Sequence, residues 1–268
     1  MTLSLYPPVR PRTLAELLDA SLKIFRISLP KCLPYASIAI LFGQLSTLYD
    51  LARGHVPTMM PTPLELNDPV WVGLYLLGYL LFFTLWMAML LRQAAIAAGR
   101  PPGERDLLEA LKQTPAVVAI VLIGDVLMLT LISPPLTLIQ PYRQVGLAVM
   151  VLVAFYVLVS LSLALPTRML TRKGVLQSLL YSLQITRSNW WRAAALYAIS
   201  ASIIVTVWLL TAVITAMILP GAGRSDAVAR AIMSAVVLAV GAMGLIFFTA
   251  TQLTLFGDLQ LRQTARGG

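Results

Sequence analysis

The sequence predicts an all-α, polytopic membrane protein: six transmembrane helices with three amphipathic interfacial helices in a weak threefold internal repeat. Three observations carry this prediction. The 268 residues are 59% hydrophobic and only 12% charged, with a mean hydropathy of +0.83, whereas a soluble domain carries about 25% charged residues. So much apolar surface exceeds what one aqueous core buries, and a bilayer is the natural solvent. Second, six apolar runs of spanning length alternate with short polar stretches. Third, the basic residues are one-sided: of 20 Lys and Arg, all but Arg53, Arg143, Arg224 and Arg230 fall on the lead-in, the second and fourth loops and the tail. Under the positive-inside rule this places both termini in the cytoplasm. The net charge of +9 therefore points to membrane orientation and not to nucleic acid.

The elements follow in order, read as one domain over residues 1–268. Pro7, Pro8 and Pro11 keep the lead-in extended, and no apolar stretch of signal-peptide type follows its first charges, so no cleaved signal is expected. Thr13 and Glu16 form a T-x-x-E capping box. Leu14, Leu17, Leu18, Leu22 and Phe25 then recur at helical spacing opposite Glu16, Asp19, Lys23 and Arg26, which predicts a basic amphipathic helix to Lys31. Leu33–Leu51 is the first span. The next loop holds Glu65 and Asp68 and leads to the second span, Val70–Leu91, with Trp71, Tyr75 and Tyr79 as interface anchors.

The string ERDLLEALKQT from Glu104 puts Leu107, Leu108 and Leu111 on one face, with acids early and Lys112 late as the helix dipole favours. Pro115 ends this short helix and opens the third span, Pro115–Ile132, which stops at Pro134-Pro135. The fourth span is Val145–Leu165, closed by Pro166. The third amphipathic segment has Leu176, Leu179, Leu180 and Leu183 as its apolar face and ends on the Trp190-Trp191 shoulder. Ala193–Leu219 and Ala231–Phe256 complete the six spans. Each amphipathic segment thus precedes a pair of spans, giving repeat units of about 13–91, 104–165 and 173–256. Ala194, Ala198 and Ser202, and likewise Ala231, Ala235 and Ala239, form small-residue stripes expected to pack helices within the monomer.

The segment ALPTRMLTRKGVLQSLLYSLQITRSNWWR resembles a recurring pattern of bacterial six-helix membrane proteins. These include the membrane domain fused to some glycerophosphoryl diester phosphodiesterases. Pro166, Ser182, Thr186, Arg187 and Trp191 sit where that pattern puts them. RTLAELLDASLKIFRISLPKCLPY resembles the family's N-terminal stretch, and LFGDLQLR its closing motif through Asp258, Leu259 and Arg262, with Gly257 and Gln260 as departures. The resemblance implies fold and membrane location. It carries no activity, because the phosphodiesterase chemistry belongs to a separate soluble domain.

Among candidate functional residues, Asp125 stands near the middle of the third span. A central Asp costs about 2.5–3.5 kcal/mol on insertion, so it should face the bundle interior or a cavity. It reads either as a coupling or gating site or as a helix-joining hydrogen-bond acceptor, with Gln44, Gln252 or the Thr249–Thr254 hydroxyls as partners. Arg168, Arg172, Lys173, Arg187, Trp190, Trp191 and Arg192 are candidate contacts to lipid headgroups or a partner. His55, Met59 and Met60 are too thin a set for a metal site. Cys32 is the only cysteine, so no intrachain disulfide forms. With one His, no phosphate loop and no nucleophile–base pair, the expectation is a non-enzymatic protein without cofactor or metal. Its expected partners are the bilayer, anionic lipid headgroups, and a membrane or cytosolic protein. The other functional readings are a small transporter or channel using Asp125, and a scaffold or assembly factor.

Overall fold

A computed structural model describes residues 5–54, 63–103, 105–138, 143–221 and 226–267. The described residues form ten helices: α1 (Leu14–Gly43), α2 (Leu45–Ala52), α3 (Pro63–Leu66), α4 (Pro69–Ala97), α5 (Asp106–Leu138), α6 (Arg143–Leu161), α7 (Ala164–Thr171), α8 (Val175–Arg187), α9 (Trp190–Gly221) and α10 (Asp226–Gly267). Six segments are long and apolar enough to cross a membrane: one each in α1, α4, α5, α9 and α10, and one running from α6 into α7. The six expected spans are therefore present. The lead-in, the turn after α4 and the last turns of α10 lie at one end of the bundle: Leu5 and Tyr6 donate their backbone N–H groups to the Ala97 carbonyl, and Arg262 of α10 donates to the Arg12 carbonyl.

Neighbouring long helices pack in the order α9, α10, α1, α4, α5, α6, and α6 returns to α9. The centre of gravity of the packing is the second half of α10, where every residue from Thr249 to Leu259 is buried. Its polar residues find partners on neighbouring elements. Ser21 and Thr254 hydroxyls meet at 2.7 Å, Trp86 Nε1 donates to Thr249 Oγ1 at 2.9 Å, and Gln252 Nε2 donates to the Ser162 carbonyl at 3.1 Å. Gln93, fully buried on α4, donates to both Ser28 Oγ and the Ile246 carbonyl. Buried polar groups hold helices together when they are paired across the interface in this way.

Two of the three expected interfacial helices are not separate elements. The Thr13 capping box is present, with Glu16 N bound to Thr13 Oγ1 and Thr13 N bound to Glu16 Oε2. The helix it starts, however, runs through Pro30 and Pro34 into the first span without a break. Pro115 likewise sits inside α5, which continues past Pro134-Pro135 to Leu138. In hydrocarbon no water is available for freed backbone groups, so continuing the helix costs less than opening it at each proline. The first span also ends early: α1 stops at Gly43, and Leu45–Ala52 is a distinct short helix. Only the third amphipathic segment, α8, stands alone.

Two smaller expectations are corrected by packing. Trp71 is a buried residue whose indole N–H donates to Asp50 Oδ2 at 2.9 Å, not a headgroup anchor. The small-residue stripes are mostly outside the monomer's packing: Ala198, Ser202, Ala235 and Ala239 are exposed, and Ala194 alone of the α9 stripe is buried, together with Ala193, Leu196, Tyr197 and Ser200.

Candidate functional site

At the end that carries the termini, the basic residues divide into those bound inside the protein and those left outward. α7 ends on Arg172, whose left-handed backbone (φ 55) turns the chain toward α8. Arg168 braces this turn, with Nη1 donating to the Lys173 carbonyl at 2.6 Å. Arg172 pairs with Glu109 of α5 at 3.1 Å, and Lys173 Nζ lies 3.2 Å from the centroid of the Tyr181 ring. Gly174 N donates to Gln177 Oε1 and opens α8.

The outer face of α8 is the reverse of a soluble helix. Ser178, Ser182 and Thr186 are buried, together with Leu179 and Ile185, and Ser182 Oγ donates to the Ser160 carbonyl at 2.8 Å. Leu176, Leu180 and Leu183 are 67%, 65% and 40% exposed. Of the four leucines expected to form one apolar face, only Leu179 turns inward. Small hydroxyl residues allow close approach to α6, and the leucine stripe is left on the outside of the bundle.

After α8 the chain turns into α9 at an elbow that borders an open groove of about 670 Å³, lined by Leu152, Tyr156, Arg187, Asn189, Trp191 and Arg192, among others. Trp190 stacks on Tyr156 with centroids 5.3 Å apart, and Trp191 projects outward at 81% exposure. Arg187 is exposed and makes no ion pair or side-chain hydrogen bond among the described residues.

Arg192 belongs elsewhere. Its Nε lies 3.2 Å from Oδ2 of Asp258, a fully buried carboxylate that also receives Arg262 Nε at 2.9 Å and the Arg12 backbone N–H at 2.7 Å. Arg192 and Arg262 both donate to the Arg12 carbonyl as well. Asp258 thereby ties the lead-in, α9 and α10 together. A buried carboxylate is tolerated only when donors surround it in this way. Gly257 allows the lead-in to approach: a Cβ there would lie 2.7 Å from Pro8 Cδ and 3.0 Å from Tyr6 Cε2. Burial, with Tyr181 nearby, pushes the Tyr6 phenol up to about 12.

Asp125 is on α5, exposed on the wall of a cavity of about 200 Å³. Phe83, Trp86, Gly124, Phe248 and Gln252 share that wall, with aliphatic side chains of α5 and α6. Its hydrogen-bond partner is none of those expected: Tyr79 Oη donates to Asp125 Oδ2 at 3.0 Å. Gln252 does line the same cavity, whereas Gln44 caps the end of α1. Tyr79, expected as an interface anchor, belongs to an aromatic ladder with Phe83 and Trp86 along α4.

At the opposite end, Asp68 caps α4 by accepting from Val70 and Trp71 N–H groups and pairs with Arg53 at 2.6 Å. Desolvation opposes ionisation there, but the two backbone N–H groups, the Tyr49 hydroxyl and Arg53 outweigh it and hold the carboxyl below its ordinary range. His55, Met59 and Met60 lie outside the described residues. Among the described residues, no group of three His, Cys, Asp or Glu side chains gathers where it could hold a metal ion.

Sequence reasoning missed Asp50 and, while naming Tyr79 and Asp258, did not see the role of either. The signal for Asp258 was present: an acid followed four residues later by Arg at the end of a span. Comparison with family models, curated proteins and solved structures finds no match to this chain.

Proposed function

We propose that this chain is a non-enzymatic, multi-pass protein of the bacterial cytoplasmic membrane that holds anionic lipid headgroups at its basic end. Its resemblance to six-helix bacterial membrane proteins supports that placement. The observation that carries the reading is α8: an outward stripe of Leu176, Leu180 and Leu183 ends at Arg187, beside a groove walled by Trp191 and Asn189. Placing each outward leucine in hydrocarbon is worth on the order of 1–2 kcal/mol at these exposures. That seats α8 at the level where Arg187 meets phosphate. Arg168 and Arg192 support this surface from within, since their guanidinium groups are engaged by protein partners, while Arg172 stays exposed in its pair with Glu109.

The test is native mass spectrometry of the full chain extracted from membranes containing phosphatidylglycerol and phosphatidylcholine. The wild type is expected to retain phosphatidylglycerol selectively. R187Q with K173Q should lose affinity by about fivefold per charge, following about 1 kcal/mol for each basic residue near an anionic surface. Unchanged retention in the double variant would overturn the proposal.

A second reading, transport with Asp125 on the path, is supported by the position of Asp125 on a cavity wall, where its bond to Tyr79 joins α5 to α4 and leaves one carboxylate oxygen toward the cavity side. Full flux in D125N would sink it.

A further inference from the structure

We propose that the cavity between α4, α5, α6 and α10 is a binding site for a small hydrophobic cation, of the substituted-ammonium class. Three features of its wall select that chemistry. The first is the inventory of polar groups. Trp86 Nε1 already donates to Thr249, Ser162 Oγ to the Val159 carbonyl at 2.8 Å, and Gln252 Nε2 to the Ser162 carbonyl. The donors of Trp86 and Ser162 are therefore engaged elsewhere, as is one of the two amide hydrogens of Gln252. What an occupant meets is chiefly acceptor capacity, from the Asp125 carboxylate and the Gln252 side-chain carbonyl. Tyr79 takes one oxygen of Asp125, Oδ2, and leaves the other available.

The second feature is aromatic. Phe83, Trp86 and Phe248 all contribute to the wall, with Phe83 and Trp86 centroids 5.6 Å apart and Trp86 and Phe248 6.3 Å apart. Ring faces attract a desolvated cation and gain nothing special from a neutral hydrocarbon. A carboxylate beside such rings repels anions and discriminates against neutral ligands by charge alone.

The third is size. An apolar cavity of about 150 Å³ accepts benzene, so about 200 Å³ takes one ring with a small substituted ammonium group. Gly124 keeps the space open: a Cβ built there meets only Leu161 Cδ1, at 3.8 Å. A larger side chain at this position would project into the volume the ligand occupies.

Binding here is independent of the headgroup contacts of α8, and transport would be a further property of the same site. The experiment uses the full chain in phosphatidylcholine nanodiscs, titrated by calorimetry with benzyltrimethylammonium and with its neutral isostere, neopentylbenzene. The wild type should bind the cation saturably and more tightly than the neutral compound. D125N, a near-isosteric change at an exposed residue, should weaken the cation by at least about tenfold, as loss of a close charge pair in a partly dry site implies, and leave neopentylbenzene unchanged. G124L should weaken both, with size-exclusion behaviour and thermal unfolding confirming that the variant is folded. If G124L fails that check, D125N decides alone. Equal cation affinity in wild type and D125N overturns the proposal. So does a neutral isostere that binds as tightly as the cation, or the absence of saturable cation binding.

Discussion

Replacing Asp258 by Asn removes one charge and almost no volume, which makes it the cleanest probe of how the chain ends are held. The carboxylate is fully buried, with guanidinium nitrogens at 3.2 Å and 2.9 Å and a backbone N–H at 2.7 Å. At an effective dielectric of about 20, each close pair is worth about 4 kcal/mol gross. Two corrections reduce that figure. Arg192 and Arg262 are 23% and 27% exposed and regain some water when released, and the native carboxylate already bears a desolvation cost. Breaking a buried pair costs about 3–5 kcal/mol, and partial exposure places D258N near the lower end, about 3 kcal/mol. The measurement is denaturant unfolding in detergent followed by tryptophan fluorescence, for D258N, R192Q and the double variant. A coupling energy of about 1–2 kcal/mol between the two sites is expected, since they share one contact. A D258N protein within about 0.5 kcal/mol of wild type would refute the idea that this carboxylate holds the lead-in, α9 and α10 together.

Gly257→Ala places a methyl group 2.7 Å from Pro8 Cδ, and overpacking of this kind costs about 1–3 kcal/mol. The expected result is faster limited proteolysis near Tyr6 with the transmembrane bundle intact. The Tyr6 phenol supplies a pH-dependent readout of the same contact. Folding raises it from its ordinary value of 10.0 to about 12, so the folded state holds the proton more tightly than the unfolded state. Its contribution to stability is complete below pH 10 and is lost as pH rises toward 12. A phenolate absorbance titration should show this late tyrosine in wild type and lose it in G257A.

The resemblance motif at LFGDLQLR shows how local sequence and tertiary role diverge. Gly257 reads along the chain as a departure from that motif, and in the folded protein it is the position where the lead-in crosses α10. The amphipathic pattern of α8 was visible from leucine spacing, but which way it faced was not. A stripe of Leu176, Leu180 and Leu183 is equally consistent with a face turned into the bundle and one turned out of it, and the buried serines Ser178 and Ser182 show that it turns out. Asp125 was recognisable as an isolated acid in an apolar run. Tyr79, 46 residues away, was not recognisable as its partner.

What the sequence determined by itself is local and additive: six apolar runs long enough to span, the bias of basic residues to one end, the capping box at Thr13 and the single cysteine. Hydropathy and charge act residue by residue against the solvent, so they survive without knowledge of neighbours. Only the tertiary structure decided that α1 and α5 pass unbroken through their prolines and that the lead-in closes on Asp258. It alone decided that Asp125 and the α4 aromatics border one cavity. Those outcomes depend on which distant groups meet in a medium without water, and a hydrogen bond across 246 residues, such as Arg12 to Asp258, leaves no periodic trace in the chain.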